Sequence, residues 1–269
     1  MLKSISIDTE KCIHCGLCIK DCALGILEFD DDKVPHYTEN GANLCIGCQH
    51  CMAICPQGAL SFGGKDPKQS FPVGFGKSED LLRLIQSRRS VRFYKKDNVP
   101  AETLDRLIKM LPFIPTGGNA DNLHFSIIAT REKMDAIRQV TYNTIMASND
   151  TSKFQATARN AFAAGNDIIY RGASGMIAVA IDHSKTIEGC ETADPIIALS
   201  YFELYAQSLG VGTVWCDMAV TIAKQLPDVY ALLEIPKNYT LNYTMLFGLP
   251  AIAYSRTIQP EMFNIKLLK

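Results

Sequence analysis

The sequence predicts an α+β chain in two unequal parts, and three observations carry that prediction. Eight of the ten cysteines fall at or before position 55, in two copies of one spacing. A glycine- and proline-rich stretch follows, with Gly63, Gly64, Pro67, Pro72, Gly74 and Gly76 crowded into it. Beyond it, apolar residues at helical spacing alternate with short strand-like runs. A length of 269 residues suits one small domain plus one of ordinary size. The expected boundaries are 1–64 for the first domain, 65–78 for a linker and 79–269 for the second.

Cys12, Cys15, Cys18 and Cys22 follow C-x2-C-x2-C-x3-C, and Cys45, Cys48, Cys51 and Cys55 repeat it 33 residues later. The segment is an internal duplication. This is the spacing of bacterial-type iron–sulfur runs, and Pro56 supplies their C-P ending. Three thiolates on one tight loop can grip three corners of a cubane, so the fourth ligand must come from elsewhere, and in two-cluster ferredoxins it comes from the other run. The expected sets are Cys12, Cys15 and Cys18 with Cys55, and Cys45, Cys48 and Cys51 with Cys22, one [4Fe–4S] cluster each. Two other readings fit less well. Structural zinc takes four ligands and would leave the middle cysteine of each triplet idle. Disulfides need an oxidising compartment, and no signal peptide is read ahead of Cys12.

Residues 3–64 resemble a bacterial two-[4Fe–4S] ferredoxin. Gly25 and Gly58 each lie three residues after the fourth cysteine of their run, and 26–29 and 59–62 read as matching short strands. The first run departs from the pattern at Ala23, where the second has Pro56. His14 and His50 sit inside the runs, but with eight thiolates at hand they read as surface residues.

Charge and hydropathy exclude two classes of partner. The net charge is −1, and residues 1–64 carry eight acids against four bases. No basic stripe is present, so nucleic acid is not expected. Asp30–Asp32 reads as a solvated turn. The longest apolar run, at 176–181, is too short to cross a bilayer, so no membrane partner is expected either. Cluster thiolates with free Cys190 and Cys216 point to a reducing cytoplasm.

In the second part, Ser78 reads as an N-cap, with Glu79 and Asp80 in the first turn and Leu81, Leu82, Leu84 and Ile85 as the apolar stripe. That helix is expected to end near Ser87 and deliver Arg88, Arg89, Ser90, Val91 and Arg92. A second helix follows Pro100, with Leu104, Leu107, Ile108 and Leu111 at helical spacing. Three arginines within five residues read either as an exposed charged turn or as an anion site, since Arg forks suit phosphate. Pro115, Thr116, Gly117, Gly118 and Asn119 make a glycine loop before a strand at 125–129. Small residues there let a flat ligand approach the backbone, and Asn119 could address its polar edge. Residues 196–209 read as a long buried helix, followed by G-V-G-T-V-W at 210–215.

Taken in order, S-R-R-S-V-R-F, P-T-G-G-N, the buried helix with its G-V-G-T-V-W, and F-G-L-P followed by Y-S-R at 254–256 resemble the FMN-dependent nitroreductase family. The resemblance spans residues 79–260. It implies a nitroreductase-type α+β sandwich, a dimer whose central antiparallel strands are covered by helices. By position, Arg88, Arg89, Ser90 and Arg92 would hold the phosphate and ribityl end of FMN, joined by Arg256. Asn119 would sit beside the isoalloxazine, and Pro115, Thr116 and Gly117 would cover the same flavin from the other subunit. Asp217 and Met218 occupy the stretch whose backbone N–H faces flavin N5 in relatives, a tuning role. Two stretches depart from the family: Ala173-Ser174-Gly175 replaces its Ala-Pro, and Asp121-Asn122-Leu123-His124 replaces its Q-P-W-H. The segment 141–172 carries no motif and is expected to include a helix over the active site. Cys190 and Cys216 read as ordinary buried small residues.

The combination implies a flavin-dependent oxidoreductase. Two [4Fe–4S] clusters would feed electrons to FMN, which would reduce a small nitroaromatic- or quinone-like substrate by hydride transfer. No catalytic side chain is singled out, because the flavin carries the chemistry; His124 and His183 are proton-donor candidates by type alone. Expected partners are a second copy of the chain, the substrate, and a donor that is ferredoxin, another low-potential carrier or NAD(P)H. The alternative is an electron-transfer flavo-iron–sulfur protein serving a protein partner, marked by a small flavin pocket. A redox sensor is a third class, but no effector domain or DNA-binding helix is read.

Overall fold

The computed structural model describes residues 3–149, 152–261 and 264–268. The expected domain ends at 1 and 269 lie outside the described residues. The chain divides into two compact units: Met1–Phe75 with Gly118–Ala120, and Gly76–Gly117 with Asp121–Lys269.

The first unit is built on the duplication. β1 (Ile5–Ile7) pairs antiparallel with β4 (Leu60–Phe62), and β2 (Leu27–Phe29) with β3 (Pro35–Tyr37). The strands expected at 26–29 and 59–62 are thus β2 and β4, each with a different partner. One-turn helices α1 (Leu17–Lys20) and α3 (His50–Ala53) stand at equivalent places, with α2 (Gly41–Leu44) between them. The backbone itself repeats at the 33-residue interval: positive φ recurs at His14 and Gly47, at Gly16 and Gln49, and at Gly25 and Gly58. Left-handed φ curls the chain around whatever the loop encloses, and His14 and Gln49 adopt it at a cost of about 1–2 kcal/mol each. The core is small, with Ile26, Cys45, Met52, Leu60 and Phe62 buried. Domains of this size usually need cross-links or metals to stand.

The second unit is an α+β sandwich. Its antiparallel sheet has the order β5 (Leu123–Ile128), β6 (Gly175–Ile181), β8 (Thr240–Gly248), β7 (Gly212–Trp215). All seven residues of β6 are buried because helices cover both faces. Side chains alternate along the strand. Met176 and Ala178 face a core shared with α6 (Arg131–Ala147), α7 (Lys153–Ala163), α9 (Asp217–Gln225) and α10 (Pro227–Ala231). Ile177 and Val179 face the opposite core, with α5 (Ala101–Met110) and α8 (Cys190–Ser208). Among the described residues no helix is long and apolar enough to cross a membrane.

Two boundaries differ from the sequence reading, each for a local reason. α4 (Ser78–Ser87) opens from Lys77, whose extended backbone lets its carbonyl accept from Leu81 N at 3.2 Å, so Ser78 is the first helical residue and not the cap. α8 begins at Cys190, ahead of the start read at 196, and carries Pro195 inside it. Proline leaves the carbonyl four residues earlier without its helical donor; that carbonyl is Glu191 O, and Asn242 Nδ2 donates to it at 3.2 Å. The motif-free segment 141–172 does contain helix, as expected: it holds the end of α6 and all of α7.

Candidate functional site

Two thiol quartets mark the first unit. Cys12, Cys15, Cys18 and Cys55 line one cavity, with Ile7, Leu17, Pro35 and Leu60. Cys22, Cys45, Cys48 and Cys51 line another, with Ile26, Tyr37 and Phe62. Each quartet takes three thiols from one run and the fourth from the other. α1 follows from this: its single turn carries the chain from Cys18 at one cavity to Cys22 at the other. Among the described residues no three His, Cys, Asp or Glu side chains converge as a single ion requires. A cubane takes one thiolate at each corner, and soft sulfur donors in an apolar surround suit it. Backbone N–H groups already address the sulfurs: Ala59 N donates to Cys55 Sγ at 3.2 Å and Gly47 N to Cys45 Sγ at 3.4 Å. Burial pushes the Cys18 thiol up and the Cys51 thiol up to about 11, so ligation must expel their protons. His14 Nδ1 lies 2.8 Å from Lys33 O, and His50 is exposed beside Asp21.

The arginine turn belongs to the second unit. Residues 90–95 run extended between two strand ends. Val91 N donates to Thr213 O at 2.8 Å, Lys95 N to Leu249 O at 2.8 Å, and Ala251 N to Phe93 O at 2.9 Å. Gly212 is required here, since a Cβ would meet Val91 Cγ2 at 2.7 Å. A solvent-open pocket of about 690 Å³ is lined by Arg89, Val91, Lys95, Gln207, Gly212 and Tyr254, among others. Arg89 Nη1 donates to Gln86 O and Arg88 O, whereas Arg89 Nη2 is buried without a partner. A cationic donor held out of water with nothing to bond is suited to an anion. Arg88 Nη1 donates to Glu203 Oε1 at 3.3 Å and Arg92 Nη1 to Ser90 O at 3.2 Å. Arg256 is exposed. Of the residues expected around the flavin, Arg89 alone is among those lining this pocket.

Asp194 of α8 holds the glycine loop. Gly117 N donates to Asp194 Oδ1 at 3.0 Å, and the other oxygen of that buried carboxylate accepts from Asn122 Nδ2 at 2.9 Å. Asn119 belongs to the first unit, where its Nδ2 donates to Ile46 O at 2.9 Å. Pro115 is exposed and Thr116 half-buried. Asp217 and Met218 open α9, whose N-terminus carries no side-chain cap bond. Cys216, just before them, is buried, and its Sγ donates to Ile169 O at 3.3 Å. His124 lies in β5 beside Ser126 Oγ at 3.2 Å, with burial lowering its pKa; His183 is exposed. Asp194, Glu203 and Gln207 do not emerge from sequence reasoning. Their one signal is the placement of polar residues within a mainly apolar helix.

Fold and site together define a class: a helix-covered antiparallel sheet with a cationic pocket, joined to a unit that presents two thiol quartets. The chain belongs to the nitroreductase family, which it matches over residues 85–249, and residues 11–59 match the 4Fe-4S dicluster domain. It is accordingly an oxidoreductase with an N-terminal ferredoxin domain. A protein of Archaeoglobus fulgidus named as an NADH dehydrogenase/NAD(P)H nitroreductase is 24% identical over 179 residues, covering 64% of this chain and 86% of that one. An uncharacterised ferredoxin of Methanocaldococcus jannaschii is 33% identical over 69 residues, 26% of this chain and 90% of that one. Among solved structures, a Bacteroides fragilis nitroreductase with bound FMN shares the fold at a TM-score of 0.60 and 20% identity, covering 71% of this chain and 99% of that one.

Proposed function

We propose that the chain acts as a cytoplasmic homodimer in which two [4Fe–4S] clusters deliver electrons to FMN for reduction of a small nitroaromatic- or quinone-like compound. When bound, FMN supplies what the side chains lack, accepting electrons singly and releasing them as hydride. The chain does the rest. Each thiol quartet holds one cluster, and the N–H groups of Ala59 and Gly47 help set its potential by hydrogen bonding to sulfur. Arg89 Nη2 binds the flavin phosphate, with Arg88, Ser90, Arg92 and Arg256 as further donors. The first-turn N–H groups of α9, at Asp217 and Met218, have no acceptor within their helix. They are placed to stabilise negative charge gathering on the flavin ring. Pro115, Thr116 and Gly117 cover the ring, held by Asp194 through Gly117 N. Exposed Leu81, Leu82 and Ile85 on α4 supply an apolar face for a second copy.

The observation that carries this reading is the buried, unpartnered Arg89 Nη2 at a large pocket in a chain with eight cysteines in two quartets. The open pocket beside the arginine turn is the feature that favours a small substrate over service to a protein partner alone. The donor is ferredoxin, another low-potential carrier or NAD(P)H, and the name of the Archaeoglobus relative supports the last. Anaerobically purified protein is expected to hold two [4Fe–4S] clusters and one FMN per chain. Turnover should reduce a nitroaromatic or a quinone when dithionite, reduced ferredoxin or NAD(P)H is supplied. Protein that carries iron and sulfide but takes up no FMN refutes the proposal.

A further inference from the structure

The run 196–209 of α8 is mainly apolar, yet two of its polar side chains reach the arginine turn. Glu203 is 6% exposed and accepts from Arg88 Nη1 at 3.3 Å. Four residues on, Gln207 Nε2 donates to Leu84 O at 3.1 Å. Leu84 O also accepts from Arg88 N at 3.0 Å. One helix face therefore fixes both the backbone where the arginine turn starts and the direction of its first guanidinium.

A buried carboxylate is a liability beside an anion site, because it must be paired and it repels the ligand. Its position is explained if Arg88 stands between the two charges. A guanidinium has five N–H donors in a fixed plane. Holding Nη1 on Glu203 sets the plane, so the remaining donors present a constant face to a second anion. We propose that Glu203 is a positioning residue for the phosphate end of the flavin, acting through Arg88. The inference rests on the reading of the arginine turn as the FMN phosphate site.

The test uses full-length protein with its clusters loaded, freed of flavin without oxygen and titrated with FMN and with riboflavin by flavin fluorescence. Glu203→Ala is expected to weaken FMN about tenfold, the worth of one oriented charge-assisted bond, and to leave riboflavin, which has no phosphate, unchanged. Glu203→Gln keeps an acceptor oxygen and removes the charge; it is expected to bind FMN at least as tightly as the parent protein. In an Arg88→Ala background, Glu203→Ala is expected to cause no further loss. Equal weakening of FMN and riboflavin, or the same loss with and without Arg88, overturns the proposal and leaves Glu203 a residue of the helix packing. FMN binding that Arg88→Ala weakens and Glu203→Ala does not also overturns it, while the flavin site stands. A parent protein that binds neither flavin overturns the flavin site itself, so the two failures are distinguishable.

Discussion

Arg89 ties one guanidinium nitrogen to its own turn and keeps the other sealed from water with nothing to bond. An unmet buried donor costs about 1–3 kcal/mol, more when charged. A phosphate oxygen in reach of Nη2 offsets that cost. Arg89→Ala is expected to weaken FMN about ten- to hundredfold while the flavin-free protein melts no lower; an unchanged dissociation constant in fluorescence titration would put the phosphate elsewhere. Cys216 shows the opposite case, a polar group fully satisfied by the fold. Its thiol, donating to Ile169 O, is pushed by burial from an ordinary value of 9.0 up to about 11. The folded chain therefore keeps this proton through a window in which the unfolded chain has lost it. The resulting stabilisation is complete below pH 9 and disappears as pH rises toward 11, an effect of about 2–3 kcal/mol. Melting temperature should drop across that window by less in Cys216→Ala than in the parent protein, and parallel curves would contradict the assignment.

Among the elements, α8 joins most of the site. Its first turns hold the glycine loop through Asp194, its middle holds Arg88 through Glu203, and Gln207 holds the end of α4. The fit at its start is tight: a Cβ on Gly117 would lie 2.4 Å from Cys190 Sγ and 3.1 Å from Cys190 Cβ. Gly117→Ala is expected to destabilise the protein by about 1–3 kcal/mol, and Cys190→Gly in the same chain should restore part of the loss in thermal melts. No recovery would mean that the strain lies in the loop backbone. The sequence shows α8 only in part, for a physical reason. Hydrophobic spacing reveals the run from Ile196 onward but not the turns ahead of Pro195, and Asn242, which supplies the donor that Pro195 lacks, is 47 positions further along the chain. Still longer separations hide Asp194 and Glu203, whose partners lie 77 and 115 positions away. Nothing near them in the chain says that a glycine N–H and an arginine will be their partners. The arginine turn and the cysteine runs are legible because their geometry is local, set by spacing within a few residues.

For the whole molecule, the decisive trait is that each thiol quartet borrows from the other run. The prediction that belongs here is a pairwise one. Cys55→Ser should deplete the cluster held with Cys12, Cys15 and Cys18, and adding Cys12→Ser should cost no further iron. Adding Cys48→Ser to Cys55→Ser should remove iron from both sites. Iron analysis with paramagnetic-resonance spectra of the reduced protein separates the two pairs. If Cys48→Ser is the silent addition, each run serves its own site and the exchange is wrong. The sandwich unit makes a contrast, because its sheet and covering helices bury two cores of their own, whereas the ferredoxin unit has one small cluster around Ile26, Cys45, Met52, Leu60 and Phe62.

The exchange of fourth ligands also means that neither half of this unit completes a site alone. A polypeptide cut between Asp32 and Lys33 would yield two fragments, each owning three sulfurs of one site and a lone sulfur of the other. Neither fragment could complete a cubane by itself, but two identical fragments clasped head to tail could complete two. A single gene copy could thus have worked as a pair before doubling stitched the pair into one chain.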